Sequence, residues 1–291
     1  KSYASVSALT ADTTPNSGAG SYNTLVTTHY NPTPNSTDRF GRMSAISANY
    51  YATSAYDAST PKVYVYSVST GALLHTITSA TNYNNFGQSL AMDGNYLLVG
   101  GSDSGITDVP VQVYDISLLS GATITAATYT LSNPNYDGTQ ATFDSFGYQS
   151  KTMSVSGNYI AISAVSDKGS SGLANAGMVY VYLISSFGSA GSTITSANYT
   201  IQNPDFYSGT TNEAHDYFGS AVALDGSNLV VGTSKEGGVA TGNDYSGVVH
   251  VYDIATFTSW SSGSINVTSA KYAIGNPNAD GASTQNDFYG G

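Results

Sequence analysis

Four stretches of the chain alternate valine with a second residue that is mostly tyrosine. β-Branched and aromatic residues at a period of two are typical of a β-strand. Before each stretch, two apolar segments flank a short turn, as in Leu97-Leu98-Val99 after Asp93-Gly94, which predicts a β-hairpin. The hairpin strands are apolar on both faces, so sheets covered on both sides are expected. The alternating stretches are Val63–Tyr66, Val111–Tyr114, Val179–Tyr182 and Val249–Tyr252.

The same order of elements recurs along the chain. Each copy opens with an Asp or Asn that stands two residues before an aromatic residue followed by glycine, and successive openings lie 46 to 72 residues apart. A period of this length, with several strands in each copy, predicts blades or a stacked array of repeats. The opening aromatic residues are Phe40, Phe86, Phe146, Phe218 and Tyr289.

A further strand closes the later repeats, at Ala127–Leu131, Ala197–Ile201 and Ala270–Ile274, and each is followed by an Asn-Pro pair. Proline cannot donate a hydrogen bond to a sheet, so it marks the end of the strand. Four strands in each period predict an all-β fold, a β-propeller of four-stranded antiparallel blades, with about five blades visible. No segment has a convincing helical period, and no long helix is expected.

The repeats predict a single β-propeller domain over residues 1–291. Val26–Pro32 is similar to a closing strand with its Asn-Pro, so the N-terminus is expected to supply the outer half of the blade that the C-terminus begins. That last blade is shared between the termini or incomplete, because it lacks an inner hairpin of about 15 residues. Either more chain after Gly291 or a neighbouring subunit would supply the hairpin. The predicted segments are a half-blade at 1–37, blades at 38–83, 84–143, 144–215 and 216–286, and the start of a closing blade at 287–291.

The repeated motif is Phe-Gly-x-Ser, an apolar strand, a glycine turn, Val-Gly and then Val-x-Val-Tyr. It resembles the FG-GAP repeat of the integrin α-subunit propeller, most closely at Phe218–Thr233 with Val249–Tyr252 and at Phe86–Gly101. The Asn-Pro-Asn links and Gly-Asn-Tyr turns also resemble repeat proteins of marine bacteria and their phages, especially virion and cell-surface proteins. The resemblance implies a β-propeller and leaves the role open.

Many FG-GAP blades carry an Asp-x-Asp-x-Asp-Gly loop in which alternate carboxylates bind calcium. The equivalent turns here, at Asp93, Ser156 and Asp225, have at most one carboxylate each. One carboxylate cannot replace three in a calcium site, so we expect no calcium and no other cofactor.

The composition narrows the range of partners. Charged residues make up 9% of the chain, with eight Lys and Arg against 19 Asp and Glu, for a net charge of −11. So few cations form no basic face, and we expect no nucleic acid and no anionic membrane as partner. The absence of cysteine excludes disulfides and thiolate sites. No apolar run approaches the length of a membrane span, so membrane insertion is not expected.

Acidic residues recur eight or nine positions after the hairpin turn of successive repeats. If the blades are equivalent, these acids share one rim, where carboxylates could bind cations or sugar hydroxyls. The alternative is that each acid supports its own loop through its side chain. The acids are Asp57, Asp103, Asp167 and Glu236.

Three tyrosines in long loops, Tyr136, Tyr207 and Tyr245, are candidate contact residues. Tyrosine supplies a large contact area for a small loss of entropy. The tyrosines of the Val-x-Val-Tyr strands are instead predicted to pack between blades. The Asp or Asn of each opening, such as Asp144 and Asp216, is predicted to accept hydrogen bonds from nearby backbone N–H groups. Its role is therefore expected to be structural.

No catalytic residue is predicted. The chain has no nucleophile elbow, no histidine pair at metal-ligand spacing and no carboxylate pair distinguished from the other acids. We therefore expect a non-enzymatic structural or adhesion module, extracellular or on a virion surface. Its loops would contact a host receptor, a glycan, other copies or other surface proteins. The alternatives are a multivalent sugar-binding lectin and a propeller hydrolase with an acidic pocket on its axis.

Overall fold

The computed structural model describes residues 27–56, 60–79, 85–102, 109–136, 144–148, 150–169, 175–204, 216–234, 247–254, 256, 266–267 and 270–275. Contacts divide the chain into two compact units, Lys1–Ser36 and Thr37–Gly291. In the first unit, residues 27–32, where the sequence predicts an outer strand, have no regular secondary structure. The amide oxygens of Asn31 and Asn35 instead accept the backbone N–H groups of Thr33 and Ser36.

The second unit contains four sheets, and its described residues include no α-helix. Four strands, each antiparallel to the one before, form the body of every sheet. The first sheet has β1 (Ser44–Ile46), β2 (Tyr50–Ala55), β3 (Lys62–Ser67) and β4 (Leu73–Thr78), and the second has β5 (Ser89–Asp93), β6 (Tyr96–Gly100), β7 (Val111–Asp115) and β9 (Tyr129–Leu131). The third sheet has β10 (Met153–Ser156), β11 (Tyr159–Ala164), β12 (Met178–Leu183) and β14 (Tyr199–Gln202), and the fourth has β15 (Phe218–Asp225), β16 (Asn228–Thr233), β17 (Val248–Asp253) and β19 (Tyr272–Gly275).

In the second unit, the predicted strands and turns that fall in described residues lie where the sequence places them. Every Val-x-Val-Tyr stretch is the third strand of its sheet. The turn between β5 and β6 is closed by the pairing of Asp93 with Tyr96, and Gly94 has φ +53°. A two-residue hairpin turn requires this positive φ, which glycine adopts at little cost. The all-β, blade-like architecture is therefore confirmed.

The prediction of four strands in each sheet was incomplete, because the first three sheets have a fifth strand. These strands are β8 (Thr123–Ile124), β13 (Ser192–Ile194) and β18 (Asn266–Val267), and they pair in parallel with β4, β9 and β14. Each fifth strand comes from the connection between the third and fourth strands of the following sheet. Each repeat therefore extends back and covers the outer edge of the sheet before it.

Successive sheets pack face to face through apolar side chains. We call the face that carries the two valines of Val-x-Val the leading face, and the opposite face the trailing face. On the leading face of the third sheet, Val179, Val181 and Ile201 pack against Phe218 and Leu229 on the trailing face of the fourth sheet. The first and second sheets, and the second and third, meet through equivalent residues. The first strands β1, β5, β10 and β15 also contact one another in turn.

The glycines that open the second, third and fourth sheets lie against the preceding sheet. Gly219 has φ +87°, and a Cβ built on it would lie 2.6 Å from Ser163 Cβ and 3.1 Å from Val179 Cγ2. Gly87 is similar, since its Cβ would lie 2.9 Å from Val63 Cγ2. Gly41 has the same positive φ, but nothing described lies within 4 Å of its Cβ position. The motif therefore selects glycine both for its backbone conformation and for the close approach of two sheets.

Replacing Gly219 by alanine is expected to destabilise the protein more than replacing Gly41. Both variants force a non-glycine residue into a left-handed conformation, at about 1 kcal/mol, and G219A adds an overlap with Ser163 worth about 2 kcal/mol. Urea denaturation of the two variants measures the difference. Equal losses of stability would show that close packing of the sheets does not constrain this position.

Candidate functional site

Two of the seven predicted site residues, Asp167 and Tyr136, lie in the described part of the chain. The structure brings both of them to the link that joins the second sheet to the third. The common rim of acids and its binding role stay predictions. Asp57, Asp103, Glu236, Tyr207 and Tyr245 lie outside the described residues.

Asp167 lies just after β11 and is 1% exposed. Its Oδ2 accepts a hydrogen bond from the Tyr180 hydroxyl at 2.6 Å. Its Oδ1 accepts from the backbone N–H of Gly169 at 2.7 Å and from the Asn135 side-chain amide at 2.8 Å. Because both oxygens are engaged with protein donors, this geometry favours the loop-supporting role over direct contact with a sugar or a cation.

Tyr136 is 45% exposed and follows the Asn133-Pro134-Asn135 link. The link is held at both asparagines. Asn133 donates its amide to Asp144 Oδ2 at 2.8 Å and accepts the backbone N–H of Asn135 at 3.1 Å, while Asn135 donates to Asp167. An exposed aromatic ring therefore projects from a chain segment that side-chain hydrogen bonds hold in place.

The bond between Asn133 and Asp144 recurs one repeat later, where Asn203 donates to Asp216 Oδ2 at 3.0 Å. All four side chains are buried. The amide after the last strand of one sheet thus binds the acid that opens the next. From the sequence alone, Asn-Pro indicates only the end of a strand. The sequence does contain a signal for this bond, because the Asn-Pro link and the opening Asp change together. The link before Asn84 has no Asn-Pro, and the repeat that follows it opens with Asn84 instead of Asp.

The hairpin turns of successive sheets are also joined by hydrogen bonds. Ser47 Oγ donates to the carbonyl oxygen of Gly94 at 2.9 Å, and the N–H of Gly157 donates to Asp93 Oδ2 at 2.8 Å. The N–H of Gly226 donates to Ser156 Oγ at 3.0 Å. At Asp93 and Ser156, the residue that occupies the position of a calcium-loop carboxylate therefore contacts the next turn.

Burial raises the pKa of several strand tyrosines. The pKa of Tyr66 is raised to about 12, mainly by burial and then by the neighbouring Tyr64 and Tyr51. Burial also raises the pKa of Tyr182 well above its usual value. For Tyr180, burial is the largest cause of a raised pKa, and the carboxylate of Asp167 adds to it. These hydroxyls are neutral in the folded protein because the interior disfavours phenolate.

We expect stability to fall as the pH rises from 10 towards 12. In this window the folded state keeps the proton of Tyr66 while the unfolded chain loses it, so deprotonation favours unfolding. Urea denaturation at a series of pH values, with tyrosinate absorbance recorded in parallel, measures the effect. The Tyr66→Phe variant is expected to lose less stability across this window than the wild type. An identical pH dependence in both would contradict the assignment to Tyr66.

Within the part of the chain that the structure describes, no three His, Asp or Glu side chains are grouped as a metal site would require. In the same residues, no helix is long and apolar enough to cross a membrane. His250 is buried in β17, where its ring packs edge-on against Phe218 at 5.6 Å between centroids. That histidine belongs to the interior between the third and fourth sheets.

Four sheets, each with a body of four antiparallel strands, pack leading face to trailing face and define a protein built from β-propeller blades. A family comparison agrees with this class. Residues 212–252, which include β15, β16 and most of β17, match the FG-GAP repeat. No curated protein matches the chain.

Proposed function

We propose that this protein is a non-enzymatic structural or adhesion module of a virion, such as a phage-like tail or capsid appendage, or of a cell surface. It acts outside the cell or on the particle surface. Its loops contact a host receptor, a glycan or neighbouring subunits. A fold of this class hosts many functions, so the proposal depends on the surface and not on the fold.

The observation that carries the proposal is the exposed ring of Tyr136 on a braced loop. Two asparagine side chains hold the link through Asp144 and Asp167 before any partner binds. A contact residue that is already ordered loses less conformational entropy on binding. Tyrosine also offers an apolar face together with a hydroxyl that can donate and accept hydrogen bonds.

The low charge of the chain supports a neutral partner. With eight cations against 19 acids, the protein has little to attract a nucleic acid or an anionic membrane. Uncharged surfaces of protein or sugar are compatible with a chain rich in Ser, Thr, Asn and Tyr. Neighbouring copies of the chain or other surface proteins are therefore included among the proposed partners.

A multivalent lectin is the second candidate function. The recurrence of the Asn–Asp bond at Asn203 and Asp216 favours it, because repeated links would present repeated loops. Sugar rings stack on exposed aromatic side chains, so the contact would be made by tyrosine and not by Asp167, whose oxygens are already engaged.

The experiment is a glycan array read with the full chain, together with sedimentation velocity to detect self-association. We expect one of the two assays to be positive, and the Tyr136→Ala variant to weaken that interaction about tenfold, or about 1.4 kcal/mol. The matched control is Leu118→Ala, because Leu118 is 60% exposed and lies in a separate short helical turn.

Several equal glycan sites on each chain would favour the lectin, and self-association without glycan binding would favour the structural module. Two results would overturn the proposal. One is a monomer that binds no glycan, and the other is release of sugar from the array by the protein, which would indicate a hydrolase.

A further inference from the structure

The leading face of the fourth sheet differs from the leading faces of the other three. In the first three sheets, the two valines of Val-x-Val are fully buried against the following sheet. The fourth sheet has the same residue types at the same positions, but Val249 and Val251 are only half-buried. Val230, which pairs with Val251, is half-buried too, whereas its counterpart Ala161 is fully buried.

The outer strand of the fourth sheet shows the same difference. Ile274 of β19 is 47% exposed, whereas its counterparts Leu131 and Ile201 are 0% exposed. Tyr272 of β19 is 59% exposed, whereas its counterpart Tyr199 is buried. In the other three sheets the outer strand also pairs with a parallel fifth strand. Within the described residues, β19 pairs with β17.

The hairpin turn of the fourth sheet provides a third, independent sign. Ser47, Asp93 and Ser156 each bond to the turn of the following sheet through their side chains. Asp225 occupies the same position in the fourth sheet and is exposed. Asp225 has the same carboxylate as Asp93, which accepts the backbone N–H of the next turn.

From these three features we propose that the leading face of the fourth sheet binds one further repeat of this same type. The opening aromatic residue of that repeat packs on Val249 and Val251, and the N–H of its turn donates to Asp225. Its connection between third and fourth strands adds in parallel to β19, as β13 does to β9. The inference is independent of the adhesion proposal above.

The residues on the face identify this occupant. Val230, Val249, Val251 and Ile274 form almost the same set as Ala161, Val179, Val181 and Ile201 of the third sheet. That third-sheet set already packs against the hairpin of residues 216–233, through Phe218, Val222, Leu229 and Val231. A surface with nearly the same chemistry and the same strand register should accept the same kind of hairpin.

A second folded copy of the chain fits this face less well. To dock in the same way, the copy would need a free trailing face on its own first sheet. There Tyr64 and Tyr66 are already buried, at 1% and 2% exposed, together with Ala55. Phe40 packs edge-on against Tyr64 at 5.6 Å between centroids, and Tyr51, the cross-strand neighbour of Tyr66, stacks against it at 5.1 Å.

The test uses the full 291-residue chain and a fluorescein-labelled synthetic peptide with the sequence of residues 216–233. Fluorescence anisotropy should show saturable binding at one site on each chain. The Ile274→Asp variant should weaken this binding at least tenfold, because it places a charge in the apolar contact. Ile274 is already exposed in the chain alone, so the variant is expected to fold, which thermal denaturation verifies.

Two controls make the result specific. Leu118→Asp places the same charge at an exposed apolar residue elsewhere and should leave binding unchanged. A peptide with alanine at the position of Phe218 should bind more weakly, because the opening aromatic residue is lost. Equal peptide binding by wild type and Ile274→Asp, or no binding by wild type, would overturn the proposal. So would a dimer of the chain that dissociates in the Ile274→Asp variant, since a second copy would then occupy the face.

Discussion

The Phe218→Ala variant is expected to lose about 4 kcal/mol of its free energy of unfolding. Phe218 is fully buried between the third and fourth sheets, where it belongs to the same apolar cluster as Val179, Val181 and Leu229. Removing the ring takes away its own buried apolar surface and leaves a cavity that the stiff β-branched neighbours cannot fill. Urea denaturation followed by circular dichroism measures the loss.

The matched control is Phe40→Ala, which changes the same motif position in the first repeat. Phe40 is half-buried and packs edge-on against Tyr64. We expect a loss of about 1.5 kcal/mol there, since less apolar surface leaves the interior. If both variants lost equal stability, the ring of Phe218 would not be a centre of packing between two sheets.

The Asp167→Ala variant is expected to lose a similar amount, about 4 kcal/mol, for a different reason. It removes the acceptor for the Tyr180 hydroxyl, the Asn135 amide and the N–H of Gly169. Tyr180 is buried, so its hydroxyl cannot turn to water, and a buried donor without an acceptor is costly. Thermal and urea denaturation measure the loss.

The control for this prediction is Asp93→Ala. Asp93 accepts one hydrogen bond, from Gly157 at an exposed hairpin turn, and its loss should cost about 1 kcal/mol. Asp167→Asn tests the geometry further, because the amide keeps the size of the side chain but has one acceptor oxygen instead of two. A loss for Asp167→Ala no larger than that for Asp93→Ala would contradict the structural role.

The strands could be predicted because their signal is local. Val179-Tyr180-Val181-Tyr182 alternates two residue types that favour strands, and four repetitions of the pattern remove the ambiguity of a single short run. The turn at Asp93-Gly94 was likewise predictable, because few residues adopt its positive φ. The stacking of the sheets was predictable as well, because the hairpin strands are apolar on both faces.

The fifth strands could not be predicted. Thr123–Ile124 and Asn266–Val267 are two residues long, too short for any period to be visible. Their parallel pairing joins two different repeats, so it depends on the packed arrangement of the sheets and not on local preference. The bond from Asn133 to Asp144 was missed for a related reason: both residues are frequent in loops, and each alone is explained by a turn.

The candidate site was predicted in part. The sequence placed Asp167 and Tyr136 in loops, and the structure shows that the two are linked through Asn135. What the sequence left open was the exposure of each side chain. Asp167 is buried because a tyrosine hydroxyl, an amide and a backbone N–H surround it, and only the folded arrangement of three chain segments brings these donors together.

The strand that reaches back from each repeat bears on how such a protein can lengthen during evolution. A gene segment that encodes one repeat, from its Phe-Gly to its Asn-Pro, also encodes the fifth strand that pairs with the preceding sheet. Duplicating that segment therefore inserts a new sheet together with the strand that attaches it to the sheet before it. The array can then grow by one repeat at a time while the contacts between the existing sheets keep their geometry.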